Sequence, residues 1–96
     1  MSKHYCYILR CNDGTLYTGY ATDPVRRLQE HNESDKGAKY TRTRRPCTLV
    51  YTEAFDTRSE ATKREYYIKH KMTKAEKEML ISGHFEKHNV ANTQEA

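Results

Sequence analysis

The first part of the chain has two short runs of strand-forming residues with a turn signal between them, as in a β-hairpin. The runs YCYILRC and TLYTGY are rich in residues that favour strands, and the turn-forming stretch NDG separates them. A two-residue Asp-Gly turn would pair Asn12 with Thr15. A three-residue loop with Gly14 in the left-handed conformation would pair Cys11 with Thr15 instead. The pattern therefore predicts a hairpin with two candidate registers.

The two registers differ in the face of the sheet that carries the tyrosines. With the shorter turn, Tyr7 and Tyr17 point to opposite faces, because a slip of one residue reverses every side chain of a strand. With the longer loop, Tyr7 lies opposite Gly19 and diagonal to Tyr17, so the two tyrosines share a face. Gly19 would then leave room for the Tyr7 ring.

Helix caps and a third strand follow the hairpin. Asp23 is a candidate N-cap and Pro24 suits the first helical position, so a helix is predicted from there to about Asn32. The stretch KGAKYTRTRR has room for a short helical turn. The stretch PCTLVYTEAF predicts the third strand, with its proline acceptable only at the start.

A later helix carries a carboxylate on its inward face. The segment TRSE is a capping box, with Thr57 as the cap and Glu60 three residues later. At about 100° per residue, four side chains of the following helix share one stripe, namely Ala61, Glu65, Ile68 and Met72. Three of them are apolar or small, which makes this the buried stripe and Glu65 its exception. Thr73 caps a further helix that is predicted to reach about Ile81.

The predicted element order is β-β-α-(α)-β-α-α. This order indicates an α+β fold, in which a small three-stranded and mainly antiparallel sheet is flanked by helices. Residues 1–83 form one domain in this interpretation, and the polar, aperiodic residues 84–96 form a flexible tail.

The chain is basic, and one segment of it has a high density of positive charge. The 96 residues carry a formal net charge of +4, which fits an anionic partner. Much of the positive charge lies in one run without an acidic residue, in which Tyr40 is interleaved with Lys36, Lys39, Arg42, Arg44 and Arg45. Basic residues around an aromatic ring suit phosphate contacts and base stacking, and a solubilising surface gives the same pattern.

The cysteines and the hydropathy argue against a secreted disulfide-bonded protein, a structural zinc protein and a membrane-spanning protein. The three cysteines are an odd number without a secretory segment, which predicts reduced thiols and a cytoplasmic location. They form no C-x-x-C pair, so a structural zinc site is not predicted. No apolar stretch approaches the roughly 18 residues of a membrane span.

The spacing of two tyrosines, an arginine and a carboxylate resembles the GIY-YIG nuclease family. The triplets Tyr5-Cys6-Tyr7 and Tyr17-Thr18-Gly19 stand at its two name-giving motifs. DPVRRLQEHN is similar to the arginine helix of the family and SEATKREYYIK to its glutamate helix, so the resemblance covers residues 5–80. The chain resembles the small stand-alone members and the catalytic domain of structure-specific flap and junction nucleases.

The resemblance implies a role for each matching residue. Tyr7 and Tyr17 would surround the attacking water, with one of them at or near the general base. Both tyrosines must then face one pocket, so the resemblance favours the three-residue hairpin loop. Arg27 would contact the scissile phosphate, and Glu65 would bind one divalent ion, Mg²⁺ or Mn²⁺. His31, one helical turn beyond Arg27, is a candidate base or phosphate contact. These roles suit phosphodiester hydrolysis, which needs a positioned nucleophile and neutralised charge at phosphorus.

Tyr20 marks a departure from some repair nucleases of the family, which place a basic residue there. The predicted nucleic-acid contacts are Lys39, Tyr40, Arg42, Arg44 and Arg45. The expected partner is branched, nicked or single-stranded DNA, because a chain of this size can read backbone shape better than base edges. Two alternatives stay open, a nucleic-acid-binding module with weak turnover and a subunit whose protein partner supplies specificity.

Overall fold

The predicted order of elements is confirmed in the computed structural model, which describes residues 3–83. The strands and helices are β1 (His4–Arg10), β2 (Leu16–Ala21), α1 (Pro24–Glu33), α2 (Lys39–Arg42), β3 (Thr48–Phe55), α3 (Arg58–Lys71) and α4 (Lys74–Ser82). The predicted tail, residues 84–96, lies outside the described residues. Within residues 3–83, no helix has the length and apolar character needed to cross a bilayer.

The sheet has β1 at its centre, with β2 and β3 antiparallel to it on either side. The longer hairpin loop is the one that forms, since the Cys11 N–H donates to the Thr15 carbonyl at 2.8 Å. Gly14 has φ +85°, the left-handed conformation that this loop requires. Tyr7 therefore lies opposite Gly19, as predicted.

The helix caps read from the sequence are confirmed. The Asp23 side chain accepts the backbone N–H of Arg26 at the start of α1. Thr57 and Thr73 both take part in complete capping boxes at the starts of α3 and α4. These bonds satisfy backbone donors that the first turn of a helix leaves without partners.

The alternation of side chains along β1 builds a core on each face of the sheet. One core joins Cys6 and Ile8 to apolar residues of α3 and α4, including Ile68 and Leu80. The other core contains Tyr7, Leu9, Cys11 and Cys47, and Leu28 of α1 packs against it. Helix α1 and helix α3 therefore lie on opposite faces. Residues from both helices can meet only around an edge of the sheet, and β2 forms one such edge.

Candidate active site

The ring of Tyr7 lies over the edge strand at Gly19. A Cβ atom added to Gly19 would be only 2.5 Å from both Cζ and the hydroxyl oxygen of Tyr7. No side chain larger than hydrogen fits there unless the ring moves. The glycine therefore allows the hydroxyl end of Tyr7 to lie directly over β2.

His31 is hydrogen-bonded to the Tyr7 hydroxyl. Its Nε2 is 2.9 Å from that hydroxyl, and its Nδ1 is 2.8 Å from Oγ1 of Thr41. The Thr41 hydroxyl in turn donates to the carbonyl of Ala38 at 2.9 Å. These three bonds are satisfied together when Tyr7 donates to Nε2 and Nδ1–H donates to Thr41. The backbone N–H of Ala38 also points at Nδ1, at the longer distance of 3.3 Å, and it favours the other tautomer, in which Nδ1 accepts and Nε2–H donates to Tyr7.

The burial of His31 limits the roles that the sequence suggested for it. The side chain is fully buried, so it cannot contact a phosphate directly. It reaches the surface of the site only through Tyr7. Thr41, which orients the other side of the ring, was missed by sequence reasoning, because a threonine within a basic run carries no signal that distinguishes it.

Tyr7 and His31 are both uncharged at pH 7. Burial, followed by the positive charge of Arg27, lowers the pKa of His31 to about 4, while Glu30 opposes the shift. Burial and then Tyr17 raise the pKa of Tyr7 above its ordinary value, while Arg27 opposes the shift. Tyr7 is therefore a hydroxyl rather than a phenolate, and His31 is a neutral imidazole that can accept a proton.

The lowered pKa of His31 predicts a loss of stability in mild acid. Since the unfolded chain binds this proton near pH 6.5 and the folded chain only near pH 4, the stability is complete above pH 6.5 and is lost progressively on the way down to pH 4. The loss from this group is expected to reach about 3 kcal/mol. Urea unfolding at several pH values measures it.

A His31→Gln variant supplies the control for this prediction, since it lacks the titrating ring. The stability difference between wild type and variant should shrink as the pH falls from 6.5 to 4. NMR titration of the His31 ring in the folded protein gives an independent reading. A ring that titrates near pH 6.5 would contradict the prediction.

Tyr17 completes an aromatic wall beside Tyr7. Its ring centroid is 5.0 Å from that of His31 in an edge-on arrangement, and 5.9 Å from that of Tyr40. The centroid of Tyr7 is 6.5 Å away. Tyr7 and Tyr17 therefore share one site, as the resemblance implies, and Tyr40 borders it.

Arg27 brings a cation to the same place from α1. Its Nη1 donates to Oε1 of Glu30 at 2.7 Å and to the carbonyl of Lys36 at 2.8 Å. Its charge opposes the rise in the pKa of Tyr7, so the guanidinium lies within electrostatic reach of that hydroxyl. Arg27 also lines a cleft of about 310 Å³ that opens beside Tyr20 and Thr22 at the end of β2.

Glu65 approaches the site from the other face of the sheet. On α3 its stripe neighbours Ala61 and Ile68 are fully buried, whereas 23% of the Glu65 side chain is exposed. Its negative charge is one of the causes that raise the pKa of Tyr7. Lys69, which pairs with Glu65 at 3.5 Å, lies 5.5 Å from the centre of the Tyr17 ring. The candidate residues of the two faces therefore meet around the β2 edge.

Glu65 suits a hard cation that keeps most of its water. Within residues 3–83 no group of three histidine, cysteine or acidic side chains is arranged to hold a metal. Glu65 offers a half-buried carboxylate, and within residues 3–83 its ion-pair partner is Lys69, whose ammonium lies 3.5 Å away. Mg²⁺ is commonly bound by one or two carboxylates, waters and substrate phosphate, so this donor fits such an ion.

The basic run is partly occupied with holding the fold together. Arg45, one of the predicted nucleic-acid contacts, donates to the carbonyls of His31 and Ser34 at the end of α1. A cation there satisfies carbonyls that the last turn of a helix leaves without partners. Arg42 donates to the carbonyl of Asp35 at 2.8 Å. Arg44 donates in the same way to the carbonyl of Tyr40 at 2.8 Å, so three of the five predicted contacts bind backbone.

Three members of the run, Lys39, Tyr40 and Arg44, form its part next to Tyr17. Arg44 pairs with Asp13 at 3.1 Å, and its guanidinium carbon lies 4.0 Å from the centre of the Tyr40 ring. Lys39 and Tyr40 are exposed on α2. The exposed surface of this segment is thus a tyrosine ring with cations around it, next to Tyr17.

Comparison with known proteins identifies the family of the chain. The family model of the GIY-YIG catalytic domain matches residues 3–79. A UPF0213 protein of Staphylococcus saprophyticus is 62% identical over 69 residues, which cover 72% of this chain and 83% of that protein. A UPF0213 protein of Halobacterium salinarum is 57% identical over 78 residues, 81% of this chain and 99% of its own.

Solved structures resemble the chain over nearly its whole length. The solution NMR structure of an E. faecalis protein has 45% identity and a TM-score of 0.61, covering 100% of this chain and 97% of that one. The solution NMR structure of a UPF0213 protein from Bacillus halodurans has 45% identity and a TM-score of 0.54, covering 95% of this chain and 99% of its own. The chain therefore belongs to the GIY-YIG family, a family of nuclease catalytic domains whose substrate is DNA and which generally use divalent metal ions.

Proposed function

We propose that this protein is a metal-dependent endonuclease that hydrolyses DNA phosphodiester bonds and recognises the structure of the DNA rather than its sequence. The observation that carries the proposal is the Tyr7 hydroxyl, which lies over the edge strand at Gly19 and is bound to His31. Arg27 from one face and Glu65 from the other bring opposite charges within reach of it. A nucleophile, a phosphate and a cation could therefore meet at one edge of the sheet.

Tyr7 and His31 would handle the proton of the attacking water. The water gives its proton to the Tyr7 oxygen while the Tyr7 hydroxyl proton moves to Nε2 of His31. Because Arg27 is the second cause of the lowered pKa of His31, a phosphate bound to Arg27 would offset that cause and make His31 a better acceptor. His31 is thus a positioning residue and a proton acceptor behind Tyr7.

Arg27 and Glu65 would act on the phosphate. The planar guanidinium of Arg27 can donate two parallel hydrogen bonds to phosphate oxygens and so stabilise the negative charge that develops there. Glu65 would hold the divalent ion, which when bound supplies positive charge to the leaving oxygen.

The shape of this surface suits backbone recognition. Its exposed groups are cations and tyrosine rings placed along a sheet edge, and such groups bind phosphates and unstacked bases rather than base-pair edges. Nicked, branched or single-stranded DNA offers such bases, whereas continuous duplex does not. One observation favours the alternative, a binding module with weak turnover. Lys69 pairs with Glu65 and so competes with a metal ion for the carboxylate.

A cleavage assay tests the proposal. Labelled single-stranded, nicked, flap and four-way DNA, with RNA of the same sequence, is incubated with the protein in Mg²⁺, in Mn²⁺ or in EDTA. The expected result is cutting that needs the metal and is faster on the interrupted or single-stranded substrates than on continuous duplex. Binding without cutting under all metal conditions would favour the binding module, and cutting in EDTA would remove the metal from the mechanism.

The close approach of Tyr7 to Gly19 gives a sharp prediction. In a Gly19→Ala variant the new methyl group would overlap the Tyr7 hydroxyl, so the ring must shift and weaken its bond to His31. A displacement of about 1 Å in a catalytic group can reduce the rate about 100-fold, and we expect a loss of that size in the cleavage rate.

Gly14→Ala is the matched control for this variant. Gly14 also loses its hydrogen for a methyl group, but no atom lies within 4 Å of the added Cβ, and only its φ of +85° opposes the change. The control should lower the free energy of unfolding by about 1 kcal/mol and leave the cleavage rate unchanged. Wild-type cleavage by Gly19→Ala would show that the position of Tyr7 does not matter.

A further inference from the structure

A second cleft opens on the other side of Gly19. It measures about 300 Å³ and lies at the beginning of β2, whereas the cleft beside Arg27 lies at its end. Its lining residues are Leu16, Tyr17, Thr18, Tyr40, Lys69 and Lys77. The Tyr7 hydroxyl, over Gly19, therefore lies between two clefts along one strand edge.

Two lysines bring positive charge to this cleft that carboxylates only partly balance. Burial and then the positive charge of Lys69 lower the pKa of Lys77, so the two ammonium groups are close enough to repel each other. Within residues 3–83, Lys77 has no ion-pair partner, and Lys69 pairs with Glu65 at 3.5 Å. An anion placed between the two lysines would relieve their repulsion.

The strand edge adds hydrogen-bond donors to the cleft. In an antiparallel ladder, hydrogen-bonded pairs alternate with pairs that do not exchange hydrogen bonds. Because Cys11 bonds to Thr15, the alternation places Leu16 and Thr18 in the second kind of pair. Their backbone N–H groups therefore point away from β1 toward the open edge, where a phosphate oxygen could accept them.

Tyr40 supplies a flat aromatic surface beside the cations. Its ring is tilted by 31° from that of Tyr17, and the Arg44 guanidinium lies over it. The side chain is 39% exposed, so part of the ring faces solvent. An aromatic ring next to two ammonium groups matches a nucleotide, whose base stacks while its phosphate is neutralised.

We propose that this cleft is a second phosphate subsite, which holds a phosphate next to the one that reacts. The DNA strand would follow the edge of β2, with the reacting phosphate at Arg27 and Tyr7 and its neighbour between Lys69 and Lys77. The base of that nucleotide would stack on Tyr40. This inference rests on the proposed function, which identifies the bound polymer as DNA. It assigns to Lys77 a role in DNA binding, although Lys77 lies outside the motifs that carry the family resemblance.

The test measures binding apart from cleavage. Fluorescence anisotropy of a dye-labelled oligothymidylate is followed in EDTA over a range of salt concentrations, for wild type, Lys77→Ala and the control Lys63→Ala. Lys63 is an exposed lysine of α3 that lines neither cleft. Loss of one phosphate contact on a single strand should reduce the salt slope by about 0.7 and weaken binding about tenfold in Lys77→Ala. The control should keep the wild-type slope.

A chemical change in the DNA then locates the subsite. A single neutral methylphosphonate is moved along the strand, one linkage at a time. Wild type should lose affinity at a linkage next to the cleaved one, and Lys77→Ala should be insensitive to the same substitution, since the two changes remove one interaction. Equal slopes in Lys77→Ala and wild type, or equal sensitivity of both proteins at every linkage, would overturn the subsite.

Failure of the subsite and failure of the nuclease proposal give different results. Suppose that the salt dependence of DNA binding is steeper for wild type than for Lys77→Ala, but wild type does not cut in Mg²⁺ or Mn²⁺. The subsite is then supported and the hydrolysis is contradicted. In that case, a methylphosphonate linkage to which wild type is sensitive and Lys77→Ala is not still marks the phosphate between the two lysines. If wild type cuts DNA, and Lys77→Ala binds DNA as tightly as wild type and with the same salt dependence, the subsite is contradicted and the hydrolysis is supported.

Discussion

Replacing Glu65 with glutamine should reduce metal-dependent cleavage by about 1,000-fold, because the variant keeps the shape of the side chain and loses the charge that would hold the cation. The fold should survive. The variant gives up only a partly exposed ion pair with Lys69 at 3.5 Å, and such pairs contribute less than about 1 kcal/mol. Single-turnover cleavage rates in Mg²⁺ measure the effect, with circular dichroism and thermal unfolding as checks of the fold.

Glu33→Gln is the matched control for this experiment. Glu33 is exposed at the end of α1, on the opposite side of the sheet from Glu65, and its loss changes the net charge by the same amount. The control should cleave at the wild-type rate. Undiminished cleavage by Glu65→Gln would remove Glu65 from the mechanism, whereas equal losses in both variants would point to a general effect of charge.

Arg27→Gln should also lose about 1,000-fold in cleavage rate, since the variant removes the cation that would stabilise charge at the reacting phosphate. Arg27→Lys should recover only part of the rate, because an ammonium keeps the charge but lacks the planar fork that donates two parallel bonds. Initial rates at saturating DNA report this loss, and a binding curve for each variant separates it from weaker affinity.

The neighbouring arginine provides the control. Arg26 has a side chain that is 73% exposed and lies 3.8 Å from Glu30, whereas Arg27 is 30% exposed and hydrogen-bonded. Arg26 lines the same cleft as Arg27, so Arg26→Gln removes the same charge from the same helix and cleft while the Arg27 guanidinium keeps its bonds. Similar losses of rate in Arg26→Gln and Arg27→Gln would show that the helix acts only by its total charge.

Arg27 also holds part of the fold, which the experiment must take into account. Its bond to the carbonyl of Lys36 fastens the loop between α1 and α2. Thermal unfolding of Arg27→Gln should therefore show a modest loss, on the order of 1 kcal/mol. That loss cannot explain a 1,000-fold fall in rate at a temperature where the variant stays folded.

Local signals in the sequence were sufficient for the elements but left two registers for the hairpin. The longer loop, in which Gly14 adopts the left-handed conformation, was favoured only by the family resemblance, which requires both tyrosines on one face. The helix starts follow from Asp23, Thr57 and Thr73, whose side chains bond to backbone within three residues. Each of these caps depends on neighbours in the chain, so the sequence carries it directly.

The roles of individual polar residues depended on distant partners. His31 and Arg27 are four residues apart on one helix, yet His31 is fully buried against Tyr7, 24 residues away in the chain, and Arg27 lies partly exposed. Arg45 is indistinguishable by type from Arg44, but its guanidinium meets the end of α1. No local pattern encodes such pairings, because they arise when elements pack.

From the sequence alone follow a hairpin with two candidate registers, an arginine helix after it, and a carboxylate that interrupts an apolar stripe. How these parts meet depends on the packing of the helices against the sheet. The arginine and the carboxylate come from opposite faces of the sheet, and Gly19 lets Tyr7 lie over the strand between them. This meeting is possible because the order of strands places β2 at an edge of the sheet, around which helices from both faces can reach one hydroxyl.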